Sequence, residues 1–427
     1  MERLLIRGGR LLDPKNKVDG QFDLLIENGK VAQVGRNLPD GGGGARILEA
    51  KGKTVVPGLI DMHVHLREPG RPDEETVESG CRAAVAGGFT ALGVMPNTDP
   101  VTDNQAAIGY IIREAIRAGN SRVYPVGAIT KGIKGESLAE MGAMLDAGAV
   151  AFTDDGHCVA SAEVMRKALT YSLIFGVPMI QHCEDPTLVG DGVMNEGLMS
   201  ARLGLAGIPA ESEEIIVYRD CALARLTGAR LHIAHISGRR SVEVVRRFKE
   251  EGVKVTAEAT PHHFTLTEEE VEGYNTNAKM APPLRSRADL EALRQGLADG
   301  TIDCIASDHA PHHYDEKETA FADAPNGVIG LETSFPVSYT ELVLGGVLDL
   351  NTLITRMSVT PAAILKLPGG SLGQGDQADV TVLDLDTDWE IDKSKFNSKS
   401  RNTPFHGRKV RGRAVATIVG GRQVWKL

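Results

Sequence analysis

Two histidines separated by a single residue, His63 and His65, end an apolar run that begins at Val55. Side chains two residues apart on a strand point to the same face, so both imidazoles can reach one metal ion. Another apolar run ends in the aspartate pair Asp154 and Asp155. Single candidates close three further runs, namely His182, His235 and Asp308. Histidines with carboxylates form a ligand set that suits Zn²⁺ or a related divalent ion such as Co²⁺ or Mn²⁺.

Each of these signals has an ordinary structural explanation when it is taken alone. An HxH triplet arises by chance, a strand-end histidine such as His235 is commonly a hydrogen-bonded core residue, and the aspartate pair before Gly156 is typical of a turn. Their coincidence at successive strand ends favours a metal site. The set is large enough for two ions if Asp155 bridges them. It needs no cysteine, which argues against a structural zinc.

The elements that must position these residues follow a repeating pattern of apolar runs. Eight runs occur between about residue 55 and residue 310, at 55–65, 89–97, 122–128, 149–155, 178–184, 230–237, 254–263 and 302–309. Amphipathic stretches separate them, including 75–86, 162–171, 213–226, 239–251 and 288–297. Strands that alternate with helices indicate a parallel sheet, and eight such units predict a closed (β/α)₈ TIM barrel. Catalytic residues of such barrels lie at the C-terminal ends of the strands, where the candidates above are found.

The two ends of the chain show a different, antiparallel pattern of strands and tight turns. Turns are indicated at Asn28-Gly29, at Gly52 and at Gly420-Gly421. We expect both termini to form one small β-sandwich domain, made of residues 1–55 plus 365–427, beside a hydrolase barrel of residues 56–364. The Gly41–Gly44 run is predicted to be a flexible surface loop.

Composition narrows the classes of partner and compartment. The 47 basic and 57 acidic residues give a net charge of −10, which argues against a nucleic acid or a membrane surface as partner. The first residues contain no apolar signal region and no apolar stretch approaches membrane-spanning length, so we expect a soluble, cytoplasmic protein. The five cysteines are scattered without CxxC spacing, which argues against a disulfide framework.

Longer motifs resemble those of a known family. The segment DMHVHLREPG at residues 61–70 resembles the signature of dihydroorotases and related cyclic amidohydrolases. The match extends through MPNT at 95–98, TPHH at 260–263, SDHAPH at 307–312, GLET at 330–333 and SRNTPF at 400–405. The resemblance covers essentially the whole chain and is specific to the bacterial class I dihydroorotases. It implies the same TIM-barrel fold and a metal-dependent hydrolase acting on cyclic amides.

The resemblance assigns the metal ligands. Hydantoinases, allantoinases and the other dihydroorotase class use a carboxylated lysine at the end of strand four, whereas class I dihydroorotases have an aspartate there, as this chain does. The motif aligns the bridging residue with Asp155, and Asp154 is expected to point away. The implied metal shell consists of His63, His65, Asp155, His182, His235 and Asp308. For two Zn²⁺ ions the implied division is His63, His65 and Asp308 against His182 and His235; one versus two ions stays open.

The implied reaction is the reversible hydrolysis of (S)-dihydroorotate to N-carbamoyl-L-aspartate in de novo pyrimidine (UMP) biosynthesis. Asp308 is expected to be the general acid and base. The substrate carboxylate calls for a guanidinium, and Arg67 lies two residues beyond His65 on what we expect to be the same strand face. The resemblance adds four further substrate contacts beside His65 and Arg67, which are Asn97, His312, Asn326 and Gly327. The last two belong to a family loop whose backbone amides are expected over the pyrimidine ring.

Two other functions compete with this one. A dihydropyrimidinase or allantoinase would require a lysine at strand four and no carboxylate-binding Arg67. A non-catalytic dihydroorotase-like scaffold for aspartate transcarbamoylase would lack metal ligands, and this chain keeps all six. The sequence leaves open a homo-oligomer and a complex with aspartate transcarbamoylase. One departure from the family is Ala281, where the related motif has a substrate-contacting asparagine.

Overall fold

The protein is described here by a computed structural model that covers residues 3–39 and 44–427. Most of the predicted Gly41–Gly44 loop therefore lies outside the described residues. The strands in chain order are β1 (Arg3–Asp13), β2 (Val18–Glu27), β3 (Lys30–Gly35), β4 (Arg46–Glu49), β5 (Thr54–Pro57), β6 (Leu59–Val64), β7 (Phe89–Val94), β8 (Arg122–Gly127), β9 (Ala151–Phe152), β10 (Met179–Gln181), β11 (Met194–Asn195), β12 (Gly207–Ile208), β13 (Leu231–Ile233), β14 (Val255–Ala259), β15 (Cys304–Ile305), β16 (Val380–Glu390), β17 (Lys409–Val419) and β18 (Arg422–Lys426).

The helices lie mainly between the barrel strands. They are α1 (Val77–Gly87), α2 (Gln105–Ala118), α3 (Met141–Asp146), α4 (Ala162–Ser172), α5 (Pro186–Val189), α6 (Leu198–Leu203), α7 (Glu211–Thr227), α8 (Arg239–Glu250), α9 (Arg287–Asp299), α10 (Tyr314–Lys317), α11 (Ser334–Ser338), α12 (Leu350–Ile354) and α13 (Thr360–Leu365). Side-chain caps define several starts. Thr76 accepts the backbone N–H of Ser79 before α1, and Ser286 accepts that of Asp289 before α9.

Eight parallel strands form the barrel, in the order β6-β7-β8-β9-β10-β13-β14-β15. Closure between the last and first strands uses residues beyond β15. The His65 N–H donates to the His309 carbonyl at 2.8 Å, and the buried Asp61 carboxylate accepts the Ser307 N–H. Apolar side chains such as Ile60, Met62 and Ile180 fill the interior. The predicted TIM barrel is therefore confirmed.

Both termini contribute to a second, eight-stranded sheet in which β5 joins the two ends of the chain. The path runs β18-β17-β16-β5-β1-β2-β3, with β4 paired to β1. Side chains from both halves share one apolar core, for example Ile6, Leu24, Val382 and Ile418. The predicted small β-domain of both termini is confirmed as an element of the fold, and its exact boundaries stay a prediction.

Predicted and observed elements agree best for the helices and least for strand lengths. The amphipathic stretch 239–251 is α8 at Arg239–Glu250, and 213–226 lies within α7. Most barrel strands are shorter than their apolar runs. For example, the run 302–309 contains only the two-residue strand β15. Within the described ranges, no helix combines the length and apolar character needed to cross a membrane.

Candidate active site at the mouth of the barrel

The carboxylate of Asp155 lies at the centre of the histidine cluster, and its two oxygens face different partners. Oδ2 lies 3.3 Å from Nε2 of His63 and 3.4 Å from Nε2 of His65. Oδ1 lies 3.5 Å from Nε2 of His235 and 3.7 Å from Nδ1 of His182. This division of one carboxylate between two histidine pairs is the geometry that a bridging ligand requires.

The second carboxylate, Asp308, lies on the side of the first histidine pair. Its Oδ1 is 3.2 Å from Nε2 of His65 and 3.5 Å from Nε2 of His63. Asp308 and His235 both have positive φ angles, 47° and 26°, which few non-glycine residues adopt. Backbone strain of this kind is typical of positions where the surrounding structure fixes a functional side chain. The structure thus brings all six predicted ligand side chains to one place.

Hydrogen bonds fix the second ring nitrogen of three of these histidines. His63 Nδ1 lies 2.6 Å from the Glu258 carboxylate, and His182 Nε2 lies 2.9 Å from that of Glu184. His65 Nδ1 lies 2.7 Å from Oδ1 of Asn97, and because this oxygen only accepts, Nδ1 is the donor. His63 and His65 therefore present Nε2 to Asp155, whereas Nδ1 of His182 lies 2.9 Å from Nε2 of His235 and 3.7 Å from Asp155. A hydrogen bond that fixes the second ring nitrogen is usual for histidines that bind a metal.

The residues present fit a divalent metal. Nε2 of His63 and Oδ1 of Asp155 are buried, and neither makes a hydrogen bond to another described residue. Ligand atoms of His63, Asp155 and His235 lie within 4.8 Å of one another, as do those of His63, His65 and Asp308. Buried polar atoms without a partner are rare, and converging imidazole and carboxylate atoms suit Zn²⁺ and similar ions.

The electrostatics of the cluster favour a bound cation. Burial by itself raises the pKa of Asp155, but the neighbouring histidines, led by His63, hold it well below its usual range. The pKa of Asp308 is likewise lowered against the effect of burial, by His63 and His65 among others. Both carboxylates are therefore ionised at neutral pH. Burial tends to lower the pKa of His63, yet Asp155, Glu258 and Asp308 together raise it well above its ordinary value.

The neighbouring aspartate has a different role. The Asp154 carboxylate accepts the backbone N–H of Thr130 at 2.9 Å and also its hydroxyl, so it faces away from the histidines. Asp154 therefore fixes the segment that follows β8. The structure places the two aspartates on opposite sides of the backbone, as the alternation of an extended chain predicts.

The predicted carboxylate-binding residue Arg67 lies at the same mouth, although not by the predicted route. Strand β6 ends at Val64 and Arg67 has a φ of 57°, so the expectation that it continues the strand face of His65 is wrong. Its side chain is nevertheless only 13% exposed. Nε donates to the Pro311 carbonyl at 3.0 Å and lies 3.1 Å from the Glu74 carboxylate, and NH2 is 3.3 Å from His312 Nε2.

Three further predicted substrate contacts, His312, Asn326 and Gly327, lie on the segment 310–327. His312 Nε2 donates to the Asn326 carbonyl at 2.8 Å, and its Nδ1 lies 3.2 Å from Glu74. The Gly327 N–H already donates to the Lys279 carbonyl at 3.0 Å. In this arrangement the Gly327 amide is not free for a ring oxygen, contrary to the expectation from the family loop. Asn326 is exposed.

Side chains from elsewhere in the chain hold this substrate loop, which we define as residues 310–327. Asn402 donates to the carbonyls of Ala310 and Gly327, both at 3.0 Å, and accepts the His312 N–H at 3.2 Å. The buried Lys279 donates to the carbonyls of Phe321 and Ala322, and the buried Lys317, which belongs to the loop itself, donates to that of Pro325. Burial, with Lys279 and Arg67 adding to it, lowers the pKa of Lys317 to about 7.

Residues without an assigned role occupy supporting positions. His232 lies 2.8 Å from the Thr256 hydroxyl and 3.1 Å from Glu258, so Glu258 connects it to His63. His263 donates to the Pro282 carbonyl at 2.9 Å. Cys183 is buried with its thiol toward the Gln181 carbonyl. His157 and Cys158 line a cavity of about 480 Å³ whose wall also includes His182 and Glu184.

Sequence reasoning missed the residues that orient the site. Glu258 and Glu184 each fix a histidine, Glu74 contacts both Arg67 and His312, and Asn402 holds the substrate loop. Glu258 carried a usable signal, because an acidic residue inside the apolar run of β14 must find a partner when buried. Asn402 carried none beyond its place in a recognised motif.

Comparisons with known proteins agree with this geometry. A profile of the family described as "Dihydro-orotase-like" matches residues 52–241. A protein named dihydroorotase from Syntrophotalea carbinolica is 54% identical over 425 residues, covering 100% of this chain and 99% of the relative. Another from Pelobacter propionicus is 53% identical, covering 99% of both chains.

Solved structures also resemble the protein over its full length. The L-hydantoinase (dihydropyrimidinase) from Arthrobacter aurescens superposes with a TM-score of 0.89 at 29% identity, covering 100% of this chain and 96% of that chain. A dihydropyrimidinase from Brevibacillus agri has the same fold, with a TM-score of 0.84 at 21% identity over 99% of this chain and 95% of that chain. With identities above 50% along its whole length, this chain belongs to the dihydroorotase family.

Proposed function

We propose that this protein is a zinc-dependent dihydroorotase, which interconverts (S)-dihydroorotate and N-carbamoyl-L-aspartate in pyrimidine synthesis. The observation that carries the proposal is the guanidinium of Arg67, which is only 13% exposed, at the same barrel mouth as the histidine cluster. We assign to Arg67 the binding of the substrate carboxylate, a group that neutral cyclic amides lack. The histidine cluster would hold the metal that supplies the hydrolytic chemistry. The full-length similarity to proteins named dihydroorotase supports the same activity.

The six clustered side chains would hold one or two Zn²⁺ ions. With two ions, His63, His65 and Asp308 would hold one, His182 and His235 would hold the other, and Asp155 would contribute to both. The opposed contacts of the two Asp155 oxygens support this division. When bound, the metal supplies a water of lowered pKa and a Lewis acid for the amide carbonyl.

Asp308 moves the proton in this proposal. Its carboxylate is ionised at neutral pH, as its lowered pKa requires, so it accepts a proton from the attacking water and delivers it to the departing ring nitrogen. His65 lies 3.2 Å from Asp308 and limits the positions that the carboxylate can take. The reverse reaction, ring closure, uses the same group with the proton moving in the opposite direction.

Substrate recognition is assigned to His65, Arg67, Asn97, His312 and the loop residues Asn326 and Gly327. Because Oδ1 of Asn97 accepts from His65, its amide nitrogen stays available to donate to the substrate carboxylate. The Arg67 guanidinium has a second carboxylate neighbour in Glu74, so a bound substrate shares this charge. The Gly327 N–H donates to the Lys279 carbonyl, so binding of the substrate by this N–H requires the substrate loop to shift.

Several broader assignments accompany this function. We place the protein in the cytoplasm. We divide the chain into a hydrolase barrel of residues 56–364 and a terminal domain of residues 1–55 plus 365–427. A homo-oligomer and a complex with aspartate transcarbamoylase are the two assemblies to test. The clustering of the six ligand side chains argues against a non-catalytic scaffold, because such a protein would lack metal ligands.

The test is an assay of the purified full chain in both directions, before and after chelation and after addition of Zn²⁺. We expect activity that is lost with the metal and restored by about one or two equivalents of Zn²⁺, with and without added aspartate transcarbamoylase. Dihydrouracil serves as the neutral comparison substrate. Equal turnover of dihydrouracil and dihydroorotate, or no activity in any arm, would contradict the proposal.

A further inference from the structure

The backbone on each side of Asp308 is held by a buried carboxylate. Ser307, which precedes it, donates its N–H to the Asp61 carboxylate, at 3.1 and 3.2 Å from the two oxygens. The ring of His309, which follows it, has Nε2 at 3.3 Å from the Glu75 carboxylate. Asp61 and Glu75 are both completely buried. The residue to which we assign proton transfer therefore lies between two neighbours that hydrogen bonds fix in place.

Both ring nitrogens of His309 form hydrogen bonds. Nδ1 accepts the backbone N–H groups of Gly330 and Leu331, at 3.1 and 3.4 Å. Because a nitrogen that accepts carries no proton, the proton of the ring is on Nε2, which donates to Glu75. The carbonyl of His309 accepts the His65 N–H at 2.8 Å, where the barrel closes. Hydrogen bonds therefore fix the ring of this residue at both nitrogens and its backbone at the barrel closure.

Four donors among the described residues hold the Glu75 carboxylate. Oε1 accepts the Ser79 hydroxyl and, at 3.1 Å, the Lys399 N–H. Oε2 accepts the Ser398 hydroxyl as well as Nε2 of His309. Burial by itself raises the pKa of Glu75, but the His309 ring and the two hydroxyls bring it below its ordinary value, so the carboxylate is ionised at neutral pH. A buried carboxylate whose two oxygens are both fully used has little freedom to move.

We infer that Glu75 is a positioning residue for Asp308 and that it acts through the His309 ring. Asp308 has a φ of 47°, a conformation that costs free energy and persists only where the surrounding contacts hold it. The hydrogen bond from His309 to Glu75 keeps the adjoining backbone in the barrel closure, and this keeps the Asp308 carboxylate 3.2 Å from Nε2 of His65. The inference rests on the proposed function, in which Asp308 moves the proton.

The test uses the zinc-loaded full chain and two variants that remove the same hydrogen bond from opposite sides. Glu75→Met removes both acceptor atoms at nearly unchanged length. His309→Asn keeps an acceptor near the position of Nδ1, but its side chain is too short to contact Glu75. We expect kcat to fall at least about tenfold in each variant and in both directions of the reaction, because a small displacement of a catalytic group can cost about 10²-fold.

Two further readouts separate positioning from loss of the metal or of the substrate loop. Metal content by elemental analysis should stay unchanged in both variants, since none of the four donors to Glu75 named above is a proposed metal ligand. In His309→Asn the bonds from Ser398 and Lys399 to Glu75 remain, so KM for dihydroorotate should change less than about threefold while kcat falls. Loss of metal that parallels the loss of kcat would overturn the inference.

A double variant and a conservative variant test whether Glu75 acts through His309. Glu75→Met combined with His309→Asn should lower kcat no more than the larger single change, because both remove one bond. Glu75→Gln should recover most of kcat, since its amide oxygen can still accept from Nε2 of His309. Asp379→Asn is the control for stability alone, because this buried carboxylate directly before β16 accepts from Arg122 and the Gly420 N–H; it should lower Tm and leave kcat unchanged. Additive losses in the double variant, or unchanged kcat in both single variants, would overturn the inference.

Crystal structures of the variants measure the position of Asp308 without any substrate. In Glu75→Met and in His309→Asn its carboxylate should move by more than about 0.5 Å from its place beside His65, the tolerance typical of catalytic groups. An unmoved carboxylate would overturn the inference. An inactive wild-type chain would contradict the proposed function alone, and these structures would then decide the positioning role. Should Glu75→Met fail to fold, His309→Asn decides by the same criteria.

Discussion

The two halves of the candidate active site are built in different ways. The histidines and carboxylates of the cluster follow the ends of parallel barrel strands, and the ladder of β6 to β15 determines where they lie. The substrate half, with Arg67 and the substrate loop of residues 310–327, has irregular backbone. Side chains from distant segments hold it, including Asn402 and the buried ammonium group of Lys279, and Lys317 adds a contact within the loop itself.

This difference means that the two halves respond to different kinds of substitution. The cluster depends on residues that face it directly or hold a ring nitrogen, such as Glu258. The substrate loop depends on residues that touch neither metal nor substrate. Selectivity can therefore change through the terminal domain while the metal ligands stay in place, and each prediction below tests one side of that separation.

The largest effect is expected at the centre of the cluster. Asp155→Ala removes the carboxylate shared by both histidine pairs, so turnover should fall below detection and bound metal should decrease. Asp154→Ala is the control, because that carboxylate binds Thr130 instead. It should retain nearly full metal content by elemental analysis. Equal metal loss in both variants would show that the cluster does not depend on Asp155 in particular.

The next effect concerns the substrate carboxylate. Arg67→Met should raise KM for dihydroorotate strongly, because losing one partner of a buried charge pair costs roughly 3–5 kcal/mol. Metal content should not change, and a neutral ring such as dihydrouracil should be affected far less. Arg82→Met provides the comparison, since Arg82 is exposed and pairs with Glu78 on the surface of α1. Equal losses on both substrates would remove Arg67 from carboxylate recognition.

A moderate effect on KM is expected for Asn402, which lies between β16 and β17. Asn402→Ala removes three hydrogen bonds to the substrate loop, each worth about 0.5–1.5 kcal/mol. We expect KM for dihydroorotate to rise about tenfold with little change in metal content. Ser394→Ala, in the same connecting segment but exposed, should leave KM unchanged. If Asn402→Ala instead loses metal, the two halves of the site are not separable.

The smallest effect is expected at Ala281, where relatives have an asparagine. This half-buried residue precedes Pro282, whose carbonyl accepts from His263, and it lies close to Lys279, whose carbonyl accepts the Gly327 N–H. Ala281→Asn should lower KM by a few-fold, the value of about one hydrogen bond, and leave kcat nearly unchanged. A higher KM would show that the pocket has been rebuilt around the alanine.

The sequence predicted the cluster well because strand-end positions in a barrel are set by periodicity. Eight apolar runs located the strands, and the residues after them converged as parallel strands require. The limits of α8 were predicted to within one residue, because its apolar residues repeat with the helical period.

The substrate half could not be predicted in the same way, because its backbone departs from regular alternation. Arg67 with a φ of 57° lies outside the strand, so counting two residues from His65 gave the wrong reason for its position. The bonds from Asn402 to Ala310 and Gly327 span 92 and 75 residues, and no local pattern encodes contacts of that range. Family motifs located these residues, and their physical roles required the structure.

The pairing of β5 with β16 has a consequence for synthesis of the chain. Val55 near the start pairs with Val382 near the end, and at about 5–20 residues per second the second strand leaves the ribosome roughly 15 to 65 seconds after the first. Until then β5 has an unpaired apolar edge, which is a site of aggregation. A chain that stops early lacks both the strand that covers this edge and the Asn402 side chain that holds the substrate loop. Such a fragment is expected to be aggregation-prone and inactive.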